Sequence, residues 1–118
     1  MYHRMGKRKL GRTSSHRLAL LRNQAISFFS HGRIVTTLPK CKELRSFVER
    51  LISLCREDTL AHRRRMNRHI PNKELVHYLF EEIGPRYATR PGGYTRIVRL
   101  PDRTRDAAPV GRLEFVED

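Results

Sequence analysis

Arg33-Ile34-Val35-Thr36-Thr37-Leu38-Pro39-Lys40-Cys41-Lys42-Glu43-Leu44-Arg45-Ser46-Phe47-Val48-Glu49-Arg50-Leu51-Ile52-Ser53-Leu54-Cys55 carries two kinds of structural signal back to back. Residues 33 to 37 are short, rich in β-branched side chains and bounded by turn signals, which predicts a strand. Pro39 then suits the first turn of a helix, where its missing N–H costs nothing. Beyond it Leu44, Phe47, Val48, Leu51, Ile52 and Cys55 recur at three- and four-residue steps, the strongest such pattern in the chain. They predict the helix around which the core assembles.

Upstream, Thr13, Ser14 and Ser15 offer N-cap oxygens to a first helix whose apolar positions Leu18, Leu21, Ala25 and Phe28 define one face, and Gly32 ends it. Downstream, Asp58 is expected to cap an Arg-rich helix running to about His69, interrupted by Ile70-Pro71. Asn72 is expected to cap a fourth helix with Leu75, Val76, Leu79, Phe80 and Ile83 on one side and Gly84-Pro85 as its stop. After the turn-forming Pro91-Gly92-Gly93, residues 94 to 100 and 111 to 117 read as two strands joined closely enough to be antiparallel neighbours. The expected fold is therefore α+β: a small mixed sheet of about three strands packed with about four helices, in a single domain over residues 13 to 118. Residues 1 to 12 hold Gly6 and Gly11 among five basic side chains, have little to bury, and are expected to form a basic extended arm.

Charge indicates the partner. Of 118 residues, 25 are Lys or Arg and 12 Asp or Glu, a net charge of +13. The first acidic residue is Glu43, so residues 1 to 42 carry ten basic groups and none acidic, and the remaining 76 carry 15 against 12. So segregated an excess calls for a polyanion. The arm supplies Arg4, Lys7, Arg8, Lys9 and Arg12 for phosphate contacts, and Arg33 and Lys40 belong to the same acid-free segment. Ser14, Ser15, His16, Arg17 and Arg22, near the start of the first helix, are further candidates for RNA contact, with His16 and Arg17 expected to face away from Leu21 and Phe28. Arg63 to Arg65 with Arg68 form a second cluster, in which Arg64 and Arg68 are one turn apart. A third region from Pro85 to Arg96 interleaves arginines with Tyr87 and Tyr94. Arg90 and Arg96 can fork onto phosphates, and the rings either stack on unpaired bases or pack into the start of the sheet. An exposed basic arm on a small α+β domain suits irregular RNA better than DNA, since no basic zipper, finger spacing or recognition helix is evident.

Other chemistries lack their residues. Six histidines and two cysteines contain no C-x-x-C or H-x-x-x-H, and Cys41 and Cys55 are about 21 Å apart along one helix, so neither a metal nor a disulfide is expected. Ser14-Ser15-His16 lacks a nucleophile-elbow context, and the acidic pairs Glu57-Asp58 and Glu81-Glu82 point their members apart, so no enzyme, cofactor or small-molecule substrate is expected. No signal-peptide core and no run of 18 apolar residues is present, which points to a cytoplasmic protein without a membrane partner. The acid-free, Ser- and Arg-containing first 35 residues also share the composition of an organellar transit peptide.

Gly11-Arg12-Thr13-Ser14-Ser15-His16-Arg17 through Ala19-Leu20-Leu21-Arg22-Asn23 closely resembles the L-seventeen family of bacterial large-subunit ribosomal proteins. His31 to Thr37 with Lys40 to Arg45, and Gly92 to Val98, resemble two further family blocks in the family's order. The resemblance implies an integral, non-catalytic protein of the large ribosomal subunit, bound to its long rRNA near the peptide exit side and beside neighbouring ribosomal proteins. It also implies that the arm belongs to the mature protein, because cleavage of a transit peptide would remove residues 11 to 23. The chain departs from the family pattern at Cys41, at Glu57 and at Arg103 to Asp106, where a glycine before the aspartate is expected.

Overall fold

The computed structural model describes residues 14–117. In chain order the elements are α1 (Ser14–His31), β1 (Arg33–Thr37), α2 (Leu38–Cys55), α3 (Leu60–His69), α4 (Lys73–Tyr78), a π-helical turn (Leu79–Ile83), α5 (Gly84–Arg86), β2 (Thr95–Leu100) and β3 (Val110–Phe115). The fold is α+β.

The expected mixed sheet is antiparallel throughout. Its order is β1-β3-β2, with Ile34 and Ile97 both opposite Leu113, and Thr36 and Arg99 both opposite Gly111. The short link between β2 and β3 dictates a hairpin, and β1 then adds to the free side of β3.

Pairing by twos explains the core. Ile34, Ile97 and Leu113 share one face of the sheet, and α2 lies over that side with Leu44, Phe47, Val48, Leu51, Ile52 and Cys55 buried. Gly111 permits the close approach: a Cβ there would sit 3.1 Å from Leu38 Cδ1, 3.2 Å from Ile97 Cγ2 and 3.3 Å from Cys41 Sγ. Leu21, Ala25, Phe28 and Phe29 of α1 complete the interior, together with Met66, Ile70 and the apolar positions of the helical run from 75 to 83. Cys41 and Cys55 are small core residues, and burial pushes the Cys55 thiol up to about 12 and raises that of Cys41. Leu18, expected on the buried stripe, is 40% exposed, and Leu21 is the first apolar residue of α1 that the core buries.

Two boundaries differ from expectation. Thr59, rather than Asp58, caps α3 by accepting from the His62 N–H at 3.1 Å, while Asp58 pairs with Arg63 at 2.6 Å. Asn72 does cap α4, accepting from the Leu75 N–H at 3.1 Å.

Gly84-Pro85 does not stop the fourth helix. A proline ring in a regular helix presses on the carbonyl four residues back and supplies no N–H. The chain answers with a wider turn in which the Gly84 N–H donates to Leu79 O, and the helix continues to Arg86. Gly84 serves packing instead, since it lies against the Cys55 carbonyl at the end of α2.

Candidate nucleic-acid interface

Arg4, Lys7, Arg8, Lys9, Arg12 and the Ser14 side chain lie outside the described residues. Ser15 and His16 are exposed on the first turn of α1. Arg17 is not outward-facing as expected. Its side chain is 11% exposed and lies 3.9 Å from Glu43, itself 8% exposed. The helical step of four places Arg17 directly before Leu21 on the core side, a spacing visible in the sequence.

The third basic region is largely structural. Tyr94 is 1% exposed, so its ring is not a platform for bases. Its hydroxyl accepts from Arg56 at 2.8 Å and lies 3.1 Å from Ser53 Oγ, and its ring packs edge-on to Tyr87 at 5.5 Å. The Tyr87 hydroxyl donates to Val116 O at 2.7 Å. Glu49 of α2 accepts from the Tyr94 N–H at 3.3 Å, the Thr95 N–H at 2.8 Å and the Thr95 hydroxyl at 2.6 Å, fixing the start of β2. Arg90 is half-buried in the preceding loop, where it donates to Gly93 O at 3.4 Å.

Ion pairing sorts the remaining arginines. Arg63 bridges Asp58 and Glu81, Arg96 and Arg112 both hold Glu114, Arg99 pairs with Asp102, and Arg103 pairs with Asp106. Arg22, Arg33, Lys40, Arg50, Arg64 and Arg68 have no carboxylate partner among the described residues. Arg33, Arg50, Arg64 and Arg68 are exposed.

Three of these unopposed groups converge. Arg22 of α1, Arg50 of α2 and Arg68 of α3 all act on His69, which packs edge-on to Phe47 at a centroid distance of 5.6 Å. Burial first, and then the like charges of Arg22, Arg50 and Arg68, hold the His69 imidazole below its ordinary pKa. His69 Nδ1 and Arg22 Nε are buried without a hydrogen-bond partner among the described residues. Like charges gathered from three helices repel one another unless an anion lies among them, and guanidinium forks match phosphate oxygens. Arg22 and Arg68 were legible as candidates; Arg50 was not, because only tertiary packing brings it beside them.

Among the described residues, no group of three or more His, Cys, Asp or Glu side chains is placed to hold a metal, and no helix is long and apolar enough to cross a membrane. The fold and its unopposed cations define a small α+β protein with a surface suited to a polyanion. Residues 20–116 match the family model for ribosomal protein L17. The chain is 50% identical to the large ribosomal subunit protein bL17 of Halothermothrix orenii, over 97% of this chain and all of that protein. It is 53% identical to the bL17 proteins of two Thermus thermophilus strains, over 99% of this chain and all of each relative. The chain belongs to the ribosomal protein L17 family.

Proposed function

We propose that this protein is a non-catalytic structural component of the large ribosomal subunit in the cytoplasm, where it binds folded rRNA beside neighbouring ribosomal proteins. The observation that carries the RNA contact is that Arg22, Arg50 and Arg68, from three helices around His69, have no ion-paired carboxylate among the described residues. Arg64, one turn before Arg68 on α3, and His16, on the first turn of α1, are exposed and are further candidates for contact. The basic residues of the arm, Arg4 to Arg12, thread into the same RNA. The names and near-complete coverage of the relatives support the ribosomal setting.

The test compares two double variants that remove equal charge. Arg50→Gln with Arg68→Gln acts on the convergent surface; Arg103→Gln with Arg105→Gln acts on the link between β2 and β3, where Arg103 is already paired with Asp106. The first pair should weaken binding to large-subunit rRNA and lower the slope of log affinity against log salt by about 1.4–1.8, the value for two lost phosphate contacts. The second should change the slope much less. Tagged versions competing for incorporation into large subunits should rank the same way. Equal losses in both assays would leave bulk charge as the whole explanation and remove the docking surface.

A further inference from the structure

A separate groove lies between the C-terminal end of α1, the starts of β1 and β2, the end of α4, α5 and the end of β3. It has a volume of about 700 Å³ and is lined by Arg33, Tyr78, Arg86, Arg96, Glu114 and Glu117, with the buried rings of Phe29 and Phe115 beneath. That volume suits a guest the size of a small organic molecule.

The lining has an uncommon division of labour. Arg33 and Arg96 both stand opposite Glu114 in the strand register. The Glu114 carboxylate is engaged by Arg96 at 2.7 Å and by Arg112 at 2.7 Å. Arg33 and Arg86 are exposed and have no carboxylate partner among the described residues, although Arg86 lies over the Phe115 ring at 5.9 Å. Tyr78 is 39% exposed, a large aromatic ring left open on a surface that buries Tyr87 and Tyr94. An open ring beside two guanidinium groups that no carboxylate neutralises among the described residues has the complementarity of a base joined to a phosphate.

We propose that this groove takes one unstacked nucleotide of the RNA, its base on the Tyr78 ring and its phosphate between Arg33 and Arg86. This rests on the RNA-binding reading above and adds to it a single-stranded or extruded residue as the recognised unit. Glu117 on the rim disfavours a bare anion, so recognition needs the base as well as the phosphate. A stacked duplex offers no free base face to the ring.

Two measurements on the full chain test the proposal. In equilibrium binding to a labelled single-stranded heptanucleotide, Tyr78→Ala should weaken affinity about tenfold, the scale of one lost base–aromatic contact, while Tyr78→Phe should match the parent. Inorganic phosphate should compete poorly. Arg33→Gln, a substitution at an exposed strand end, should weaken binding severalfold and reads the phosphate half independently should Tyr78→Ala melt early. If Tyr78→Ala and Arg33→Gln bind the heptanucleotide as the parent does, the groove proposal falls; the wider RNA reading then stands or falls on Arg50 and Arg68 with structured rRNA. If the parent binds neither RNA, both fall. In the second measurement, photoreactive benzoylphenylalanine replaces Tyr78 in assembled large subunits. Cross-links to RNA support the proposal, and cross-links to protein alone overturn it.

Discussion

Gly84→Ala sets two general effects against each other, and the structure decides the sign. Gly84 has ordinary helical dihedrals, φ −55° and ψ −54°, so helix propensity alone makes alanine better by about 1 kcal/mol. An added Cβ, however, would sit 2.1 Å from the Cys55 carbonyl oxygen, 3.0 Å from its carbon and 3.6 Å from Arg56 Cα. These are backbone atoms at the end of α2 and cannot swing aside as a side chain tip does. Reaching ordinary contact requires α2 and the 79–86 segment to part by more than an ångström, which loosens the packing of Ile52, Leu79 and Ile83. Overpacking typically costs about 1–3 kcal/mol, and a rigid neighbour places this site at the upper end or beyond it. The net loss should be about 2 kcal/mol or more, with a melting temperature lower by about 8 °C or more for a domain of this size. Urea titration followed by circular dichroism measures it. A Gly84→Ala protein with a midpoint equal to or above the parent's would show that propensity governs and that the contact with Cys55 does not constrain the fold.

Ala107 has φ 57°, a left-handed conformation that costs a residue with a Cβ about 1–2 kcal/mol, so Ala107→Gly should stabilise the domain by several tenths to about 1 kcal/mol in the same titration. A lower midpoint would refute that. His69 has its folded pKa lowered from 6.5 by burial and by Arg22, Arg50 and Arg68, so the unfolded chain binds the proton more readily. Stability should therefore decline as pH falls through about 6.5 towards the lower folded value, and His69→Gln should flatten that decline; identical pH profiles for parent and variant would remove His69 as the source. Deleting residues 2 to 9 removes Arg4, Lys7, Arg8 and Lys9, and should leave the unfolding midpoint unchanged while weakening rRNA binding and flattening its salt dependence. An unchanged salt slope would exclude arm-to-phosphate contact.

The elements with one dominant local signal were legible in the sequence. The bounds of β1, the stripe on α2, the Gly32 terminus of α1 and the Asn72 cap each depend on residues within a few positions of one another. Where two local signals compete, tertiary packing chose between them. Gly84-Pro85 carries the marks of a helix end, yet a wider turn accommodates the proline and α2 needs the missing Cβ. Asp58 and Thr59 are both acceptable caps; Arg63 draws Asp58 away. Tyr94 fitted base stacking and core packing equally well until Ser53, Arg56 and Glu49, all from α2, gathered around it. The candidate interface was legible as a class of partner, because charge segregation survives without coordinates. Its geometry was not, because which arginines are neutralised depends on residues such as Glu114 and Glu43 that lie far away in sequence.

The order β1-β3-β2 also bears on synthesis. The central strand is the last to be made, so neither β1 nor β2 has a hydrogen-bonding partner within the sheet until residues 110 to 115 are available. A nascent chain can form α1 and α2 early, because their contacts are local, but β1 and one face of α2 stay uncovered through most of translation, and β2, made only at residues 95 to 100, waits for β3 as well. The arginines at Arg33, Arg96 and Arg99 stand on those strands. Charge at an unpaired edge hinders strand-to-strand association between chains. Arg96 and Arg99, which meet Glu114 and Asp102 in the finished sheet, thus join Arg33 in guarding the unpaired strands against association with other chains.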